Sequence, residues 1–439
     1  MLHGPIGPTV LRLAWPNVLM MLSLSATSLI EAWYVSRLGT DALAAMALVL
    51  PVLMLMQNMS QGAMGGGISA AVARALGSGK QALADRLVMQ AVMVNGALGL
   101  ACTVVLLVLG PRLYRALGAE GAALSEALHY SNVIFGGIVL MWIMNALASA
   151  IRGTGNMLVP GSVICGGALM LIPLSPCLIF GFGPIPAMGI AGAGLALLIY
   201  YGAGALILGW YCASGRNAAR LRLSRADWSS MRDILRVGGL ATINPFLNNG
   251  TIALSTALVG IYFGTAAVAG YGVGVRVEYL VIPIAFGFGA PLVALVGSNL
   301  GAGQPERARR IALTGGAMAF VAGEVIGVIA AIWPEALLSF FGANEALIES
   351  GSTYLRIVGP FYGFFALGFS LYFASQGAGR LKWPLIAGLL RLVVAVGLGG
   401  WALHVTGSLA WFFVFSSVAM VVYATIVTTS VYRGWSNPR

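Results

Sequence analysis

Ionisable residues that fall inside long apolar stretches of this sequence include Glu31, Arg276, Glu278, Glu324, Arg356 and Arg391. A charge kept inside hydrocarbon is costly, and it commonly marks an ion or substrate path. Glu31 stands near the outer end of the first stretch, eight positions before Gly39. Low-dielectric surroundings disfavour an ionised carboxyl. A carboxylic side chain placed there can take up a proton on one side of a membrane and release it on the other. That is the chemistry expected of Glu31, weighed against a plainer role as a residue that snorkels to the outer interface. Arg276 and Glu278 are two positions apart, which on a helix sets them on nearly opposite faces, so they are not expected to pair. Glu278 is expected either to couple an ion from a central cavity or to pair with an arginine elsewhere. Arg276 is expected to line that cavity or to serve in a structural pair. Glu324 and Arg391 are expected to act structurally or as a pair inside a helix bundle, and Arg356 to snorkel.

A second group of residues suits a binding cavity. The run Met54–Met64 (MLMQNMSQGAM) sets Gln57, Asn58 and Gln61 among methionines, and Asn244, Asn248 and Asn249 sit in a corresponding later stretch. Polarisable thioethers and amides fit a cavity that accepts varied flat cations, although a methionine-rich stretch serves as often as core filler. The sequence holds no nucleophile–base set. His3, His129 and His404 are isolated, and GSGK at Gly77–Lys80 lacks the wider context of a phosphate-binding loop. The four cysteines, Cys102, Cys165, Cys177 and Cys212, have no metal-like spacing and read as small core residues. The expectation is therefore no enzyme, no cofactor and no metal site. Without a nucleotide site, a secondary transporter is preferred over an ATP-driven pump.

The elements that must position these residues follow from composition. Hydrophobic residues make up 59% of the chain and charged residues 8%, against about 25% charged in soluble domains. So few charges cannot solvate an exterior, which points to lipid as the solvent. A span needs roughly 20 apolar residues. Twelve stretches qualify, near 13–36, 42–68, 87–110, 124–151, 159–182, 188–212, 238–262, 266–297, 311–334, 350–376, 383–404 and 408–431. The first reads as a mature helix rather than a cleaved signal. The net charge of +11 is distributed as a topology signal: 18 of the 24 Lys and Arg lie on one side of the proposed membrane. That is the positive-inside pattern, and it places both termini in the cytoplasm of a multi-pass inner-membrane protein. No nucleic-acid partner is expected.

The two halves repeat one another. RLGTDALAAM around Gly39 returns as YFGTAAVAGY around Gly264, and LGSGKQALADR from Leu76 returns as LGAGQPERARR from Leu300. LGA at Leu117–Ala119 returns as FGA at Phe341–Ala343, Tyr130 returns as Tyr354, and RGTGNMLVP from Arg152 returns as QGAGRLKWP from Gln376. The offset stays at 224 or 225 throughout. Six spans per copy make the repeats parallel. The expected organisation is a six-helix lobe over 1–213, a cytoplasmic linker over 214–236 carrying six arginines, and a second six-helix lobe over 237–439. Part of the linker, around Trp228–Leu235, is expected to lie along the interface as an amphipathic helix. Prolines inside spans permit kinks.

Taken together, EAWYVSRLGTDALAAMALVLP (Glu31–Pro51), ALGSGK (Ala75–Lys80), IRGTGN (Ile151–Asn156), PAMGIAGAG (Pro186–Gly194) and GAGQPERAR (Gly301–Arg309) resemble the MATE family, the multidrug and toxic compound extrusion transporters. The resemblance covers nearly the whole chain. It implies an all-α membrane fold of twelve transmembrane helices in two parallel six-helix lobes that form a V around a central cleft. It also implies antiport of cationic, often aromatic, compounds against protons or sodium. The family's acidic slot in span 1 holds Glu31. In the branch with an Asn and Asp relay on span 5, the corresponding run reads Leu174-Ser175-Pro176, with Leu171 four positions before Ser175, so that relay lacks its partners. In the branch with acids on spans 7 and 10, the slots hold Asn249 and Phe365. The expectation is thus an exporter of small organic cations, coupled to proton influx through Glu31 with Glu278 as a second ion-coupling candidate. Met54, Gln57, Asn58, Gln61, Met64, Asn248, Asn249 and Arg276 are expected to line the cargo cavity. Membrane lipid is the other expected partner, and the protein is expected to work as a monomer by rocker-switch alternating access. Sodium coupling, or transport of a lipid-linked sugar, are the alternatives.

Overall fold

In the computed structural model the described residues are 2–118, 120–184, 186–339 and 345–435. The expected turn at Phe341–Ala343 and Arg439 lie outside them. The regular elements among the described residues are all helices, since in lipid every backbone N–H and C=O must be satisfied within the segment. In order the helices are α1 (Ile6–Ser36), α2 (Thr40–Gln57), α3 (Gly65–Gly77), α4 (Gln81–Ala116), α5 (Gly121–Gly136), α6 (Val139–Gly153), α7 (Leu158–Phe180), α8 (Ile190–Ala213) and α9 (Trp228–Ala241). They continue with α10 (Ile243–Glu278), α11 (Val281–Gly301), α12 (Pro305–Ile332), α13 (Pro334–Ser339), α14 (Glu345–Val358), α15 (Tyr362–Ala378), α16 (Lys382–Leu392), α17 (Gly399–Thr406) and α18 (Leu409–Gly434).

Among the described residues, eleven helices are long and apolar enough to span a membrane, and twelve if the bent pair α5 and α6 is counted as one span. The fourth stretch, expected as one span over 124–151, is bent by 45°. The bend falls at the glycine pair Gly136-Gly137, where helices give way most easily. Other spans are irregular as well. A π-helical segment, Asn58–Met64, joins α2 to α3, and another, Val393–Leu398, joins α16 to α17. The eighth stretch is interrupted between Glu278 and Val281. Pro283 explains that break, because it has no N–H to offer the carbonyl of Tyr279.

The chain divides into two compact units, one of residues Leu19–Gly239 and one of Met1–Val18 with Leu240–Arg439. The division falls inside α1 and α9, and the segment 214–236 groups with the first unit. Asp85 and Gln90 of α4 hold that segment. Asp85 accepts from the Arg220 amide at 2.9 Å, and Gln90 Nε2 donates to the Arg225 carbonyl at 2.8 Å.

The sequence repeat reappears as a packing repeat. In the first unit α3 packs on α6, α4 on α6 and α2 on α5; in the second unit α11 packs on α15, α12 on α15 and α10 on α14. Gly153 of α6 approaches the backbone of Ser69, so that a Cβ there would stand 2.8 Å from the Ser69 carbonyl oxygen. Gly377 of α15 repeats the contact, 2.5 Å from the Val293 carbonyl oxygen. The turn glycines match as well: Gly39 and Gly264 both have positive φ, 117° and 75°, a conformation open to glycine at little steric cost.

Candidate functional site

Three side chains of α1 at helical spacing, Thr27, Glu31 and Tyr34, face α7. Positions i, i+4 and i+7 line one helix face. Glu31 is 7% exposed, and Ser175 Oγ donates to its Oε1 at 3.2 Å. Tyr34 Oη donates to the carbonyl of Ile172 at 3.0 Å. The sequence of α7 accounts for this arrangement. Pro176 has no N–H, so the carbonyl of Ile172, four residues earlier, loses its helical donor, and the Tyr34 hydroxyl takes its place. Tyr130 and Tyr201, both buried, stand within electrostatic reach of Glu31. No Lys, Arg or His lies within ion-pair distance of Glu31 among the described residues.

Two readings from sequence change here. Ser175 had stood only as part of a relay without partners, yet it is the side chain that bonds Glu31. The residue that matters is a hydroxyl rather than an acid, and nothing in its local sequence marks it as a partner of Glu31. Tyr34 was not anticipated at all; the signal available was Pro176, which announces an orphan carbonyl.

The second unit holds the other buried carboxylate. Glu278, 6% exposed, ends α10 at the interruption of its span. Tyr354 Oη donates to its Oε2, and Arg391 Nη2 lies 3.5 Å from its Oε1. Arg391 Nη1 also donates to Asn248 Oδ1 at 2.9 Å, and its guanidinium carbon stands 4.6 Å from the centre of the Phe365 ring. The partner left open for Glu278 is thus Arg391, from a helix distant in sequence. Arg276 is exposed and stands apart from Glu278. Tyr354 is the repeat counterpart of Tyr130, so in each unit the same tyrosine of the repeat lies within electrostatic reach of a buried carboxylate. Among the described residues the first carboxylate lacks a cationic partner, and the second has one.

The remaining candidates are dispersed. Gln57 Nε2 donates to Gln61 Oε1 at 2.8 Å, next to the π-helical segment, and the buried Gln57 Oε1 and Gln61 Nε2 find no partner among the described residues. Met54 and Asn58 are exposed. Met64 is buried and packs against Gly238. Asn249 is exposed and donates to the Pro245 carbonyl of its own helix at 2.8 Å. Glu324 accepts from the Gly363 amide at 2.9 Å, a backbone role. Arg356 pairs with Glu335 at 2.6 Å, with both side chains at least half exposed, a setting in which an ion pair adds little. Among the described residues no three His, Cys, Asp or Glu come together to hold a metal ion.

A duplicated bundle of helices long and apolar enough to span a membrane, with a buried carboxylate in each unit, fits a membrane transporter. The chain belongs to the MatE family: the family model matches residues 16–177 and 241–401, one match in each repeat. An FAD transporter of Shewanella oneidensis is 27% identical over 90% of this chain and 87% of its own length. A probable multidrug resistance protein NorM of Deinococcus radiodurans is 28% identical over 91% of this chain and 88% of its own. A NorM of Thermotoga maritima is 30% identical over 63% of this chain and 60% of its own. Among solved structures, a MOP superfamily transporter from Pyrococcus furiosus aligns with a TM-score of 0.91 at 22% identity, covering 99% of this chain and 97% of that chain. A Vibrio cholerae MATE transporter aligns with a TM-score of 0.89 at 21% identity, covering 98% and 97%. At that identity the likeness establishes the fold: twelve transmembrane helices in two lobes.

Proposed function

We propose that this protein exports small organic cations across the inner membrane in exchange for protons that enter through Glu31, with both termini in the cytoplasm and the monomer as the working unit. The observation that carries this reading is the setting of Glu31: buried, held by a single serine hydroxyl, and without a cationic partner among the described residues. A proton is the smallest ligand able to neutralise such a group. Coupling requires that proton and cargo differ in affinity between the two access states. Glu278, already neutralised by Arg391, is the second coupling candidate. The unpartnered amide atoms of Gln57 and Gln61 support a polar cargo contact in the first unit, and the multidrug-resistance names of the NorM relatives agree with export of drug-like compounds.

The test uses purified protein in liposomes with a fluorescent cationic dye and imposed pH or sodium gradients. A pH gradient alone should drive dye movement in the wild type, and Glu31→Gln should abolish it while protein yield stays normal. Undiminished pH-driven movement in that variant refutes the assignment. Movement with sodium alone transfers the coupling role to sodium, and movement under neither gradient favours a lipid-linked cargo.

A second reading concerns the cargo. The Shewanella oneidensis relative is an FAD transporter, and Arg391 lies over the Phe365 ring here. A guanidinium beside an aromatic face suits a flat ring that bears an anionic group. Flavin nucleotide in the same vesicles, followed by its own fluorescence, separates the two cargo classes.

A further inference from the structure

We propose that Arg152 is the recognition residue of an oxyanion site inside the first unit, and that the group it takes is of the phosphate type. Arg152 closes α6 and is 3% exposed. Its one hydrogen-bond partner among the described residues is the thioether of Met20 on α1, with Nη2 to Sδ at 3.9 Å, and its Nε has none. Among the described residues no carboxylate lies within ion-pair distance of it. Tyr200 of α8 stands within electrostatic reach. A guanidinium keeps its charge at physiological pH. A buried charge without a counter-ion is less favourable than a paired one.

Two structural roles are already filled by other groups. A basic residue at a helix C-terminus can satisfy the last carbonyls, but the Thr154 amide bonds the Ile151 carbonyl at 3.0 Å and the Gly155 amide bonds the Arg152 carbonyl at 2.8 Å. Packing does not require the charge either, and the repeat supplies the control. The counterpart of Arg152 in the second unit is Gln376, fully buried, which donates to Tyr372 Oη at 3.0 Å. The same slot after the same loop is therefore filled by a neutral amide of similar length. The charge on Arg152 is surplus to the fold. A thioether is a weak acceptor, so exchanging Met20 Sδ for an oxyanion that meets the guanidinium fork is favourable. The anion can be a water-soluble phosphate ester or the headgroup of an acidic phospholipid; both present the same oxygens. The proposal rests on neither cargo reading given above.

The variant to make is Arg152→Gln, which installs the residue that the other repeat already tolerates. Purified protein in a neutral detergent is titrated calorimetrically with inorganic pyrophosphate and, separately, with short-chain phosphatidylglycerol. Saturable binding of pyrophosphate by the wild type, weakened about tenfold or more in Arg152→Gln, identifies a soluble phosphate source. The same loss confined to phosphatidylglycerol identifies a lipid. Arg152→Lys should fall between, since it keeps the charge and loses the fork. Binding of neither probe by the wild type, or equal binding by Arg152→Gln, overturns the proposal. Should Arg152→Gln fail to fold, phenylglyoxal labelling of the wild type, read by mass spectrometry at Arg152, decides. Protection by either probe supports the site. Labelling without protection, or no labelling at all, overturns it.

Discussion

The bond between Tyr34 and Ile172 gives the sharpest quantitative test of how the Glu31 region is built. Pro176 removes the donor that would serve the Ile172 carbonyl, and Tyr34 Oη replaces it at 3.0 Å. Removing one partner of a buried hydrogen bond costs about 1–3 kcal/mol, because the other is left unsatisfied. Tyr34 is half-buried, so Tyr34→Phe is expected near the lower limit, about 1 kcal/mol. In a Pro176→Ala background the alanine N–H can bond the Ile172 carbonyl within the helix, and Tyr34→Phe should then cost almost nothing. The double-mutant cycle should therefore return a coupling of about 1 kcal/mol. For a cooperative unit the size of Leu19–Gly239, that corresponds to a fall of about 2 °C in melting temperature for the single variant. The assay is thermal unfolding of purified protein in detergent, with all four variants measured at one scan rate. A coupling near zero with Tyr34→Phe still destabilising would mean that the hydroxyl does not stand in for the missing amide, and the account of α7 would fail. Dye transport by the same four proteins reports whether the placement of α1 against α7 also governs proton coupling.

Other expectations follow from the second unit and the polar segment. Arg391→Met leaves Glu278 buried without its cation and should cost about 3–5 kcal/mol, whereas Arg391→Met with Glu278→Gln should recover most of that loss; unfolding of both proteins that shows no recovery would refute a paired role. Asp227 precedes α9 and accepts from the Ser230 and Ser229 hydroxyls at 2.6 and 3.0 Å and from the Ser229 amide at 3.1 Å. These bonds, the Ser230 hydroxyl first, hold its carboxyl below the ordinary aspartate range. A depressed value in the folded state means that the stabilisation is present above the unfolded value of about 4 and is lost as pH falls through the folded one. Asp227→Asn should therefore melt below the wild type at neutral pH, with the gap closing in acid; a gap that is constant with pH would contradict the capping role.

What the sequence by itself determined is the plan. Low charge, twelve apolar stretches and a constant offset between turn glycines fix a duplicated helical membrane protein, because span length and backbone satisfaction in lipid leave few other solutions. The same reading placed Glu31 and Glu278 as the carboxylates worth following, since an acid within an apolar run is visible without a partner. Their partners were not visible. Arg391 reaches Glu278 across 113 residues and Ser175 reaches Glu31 across 144, and nothing local in either segment announces the other. Likewise Gly153 shows in sequence only as one glycine of a matching pair of loops, while its approach to the Ser69 backbone is a property of two helices meeting. Periodicity and composition act along the chain and can be read from it. Pairing of buried polar groups acts between helices, and it is settled only when packing decides which faces meet.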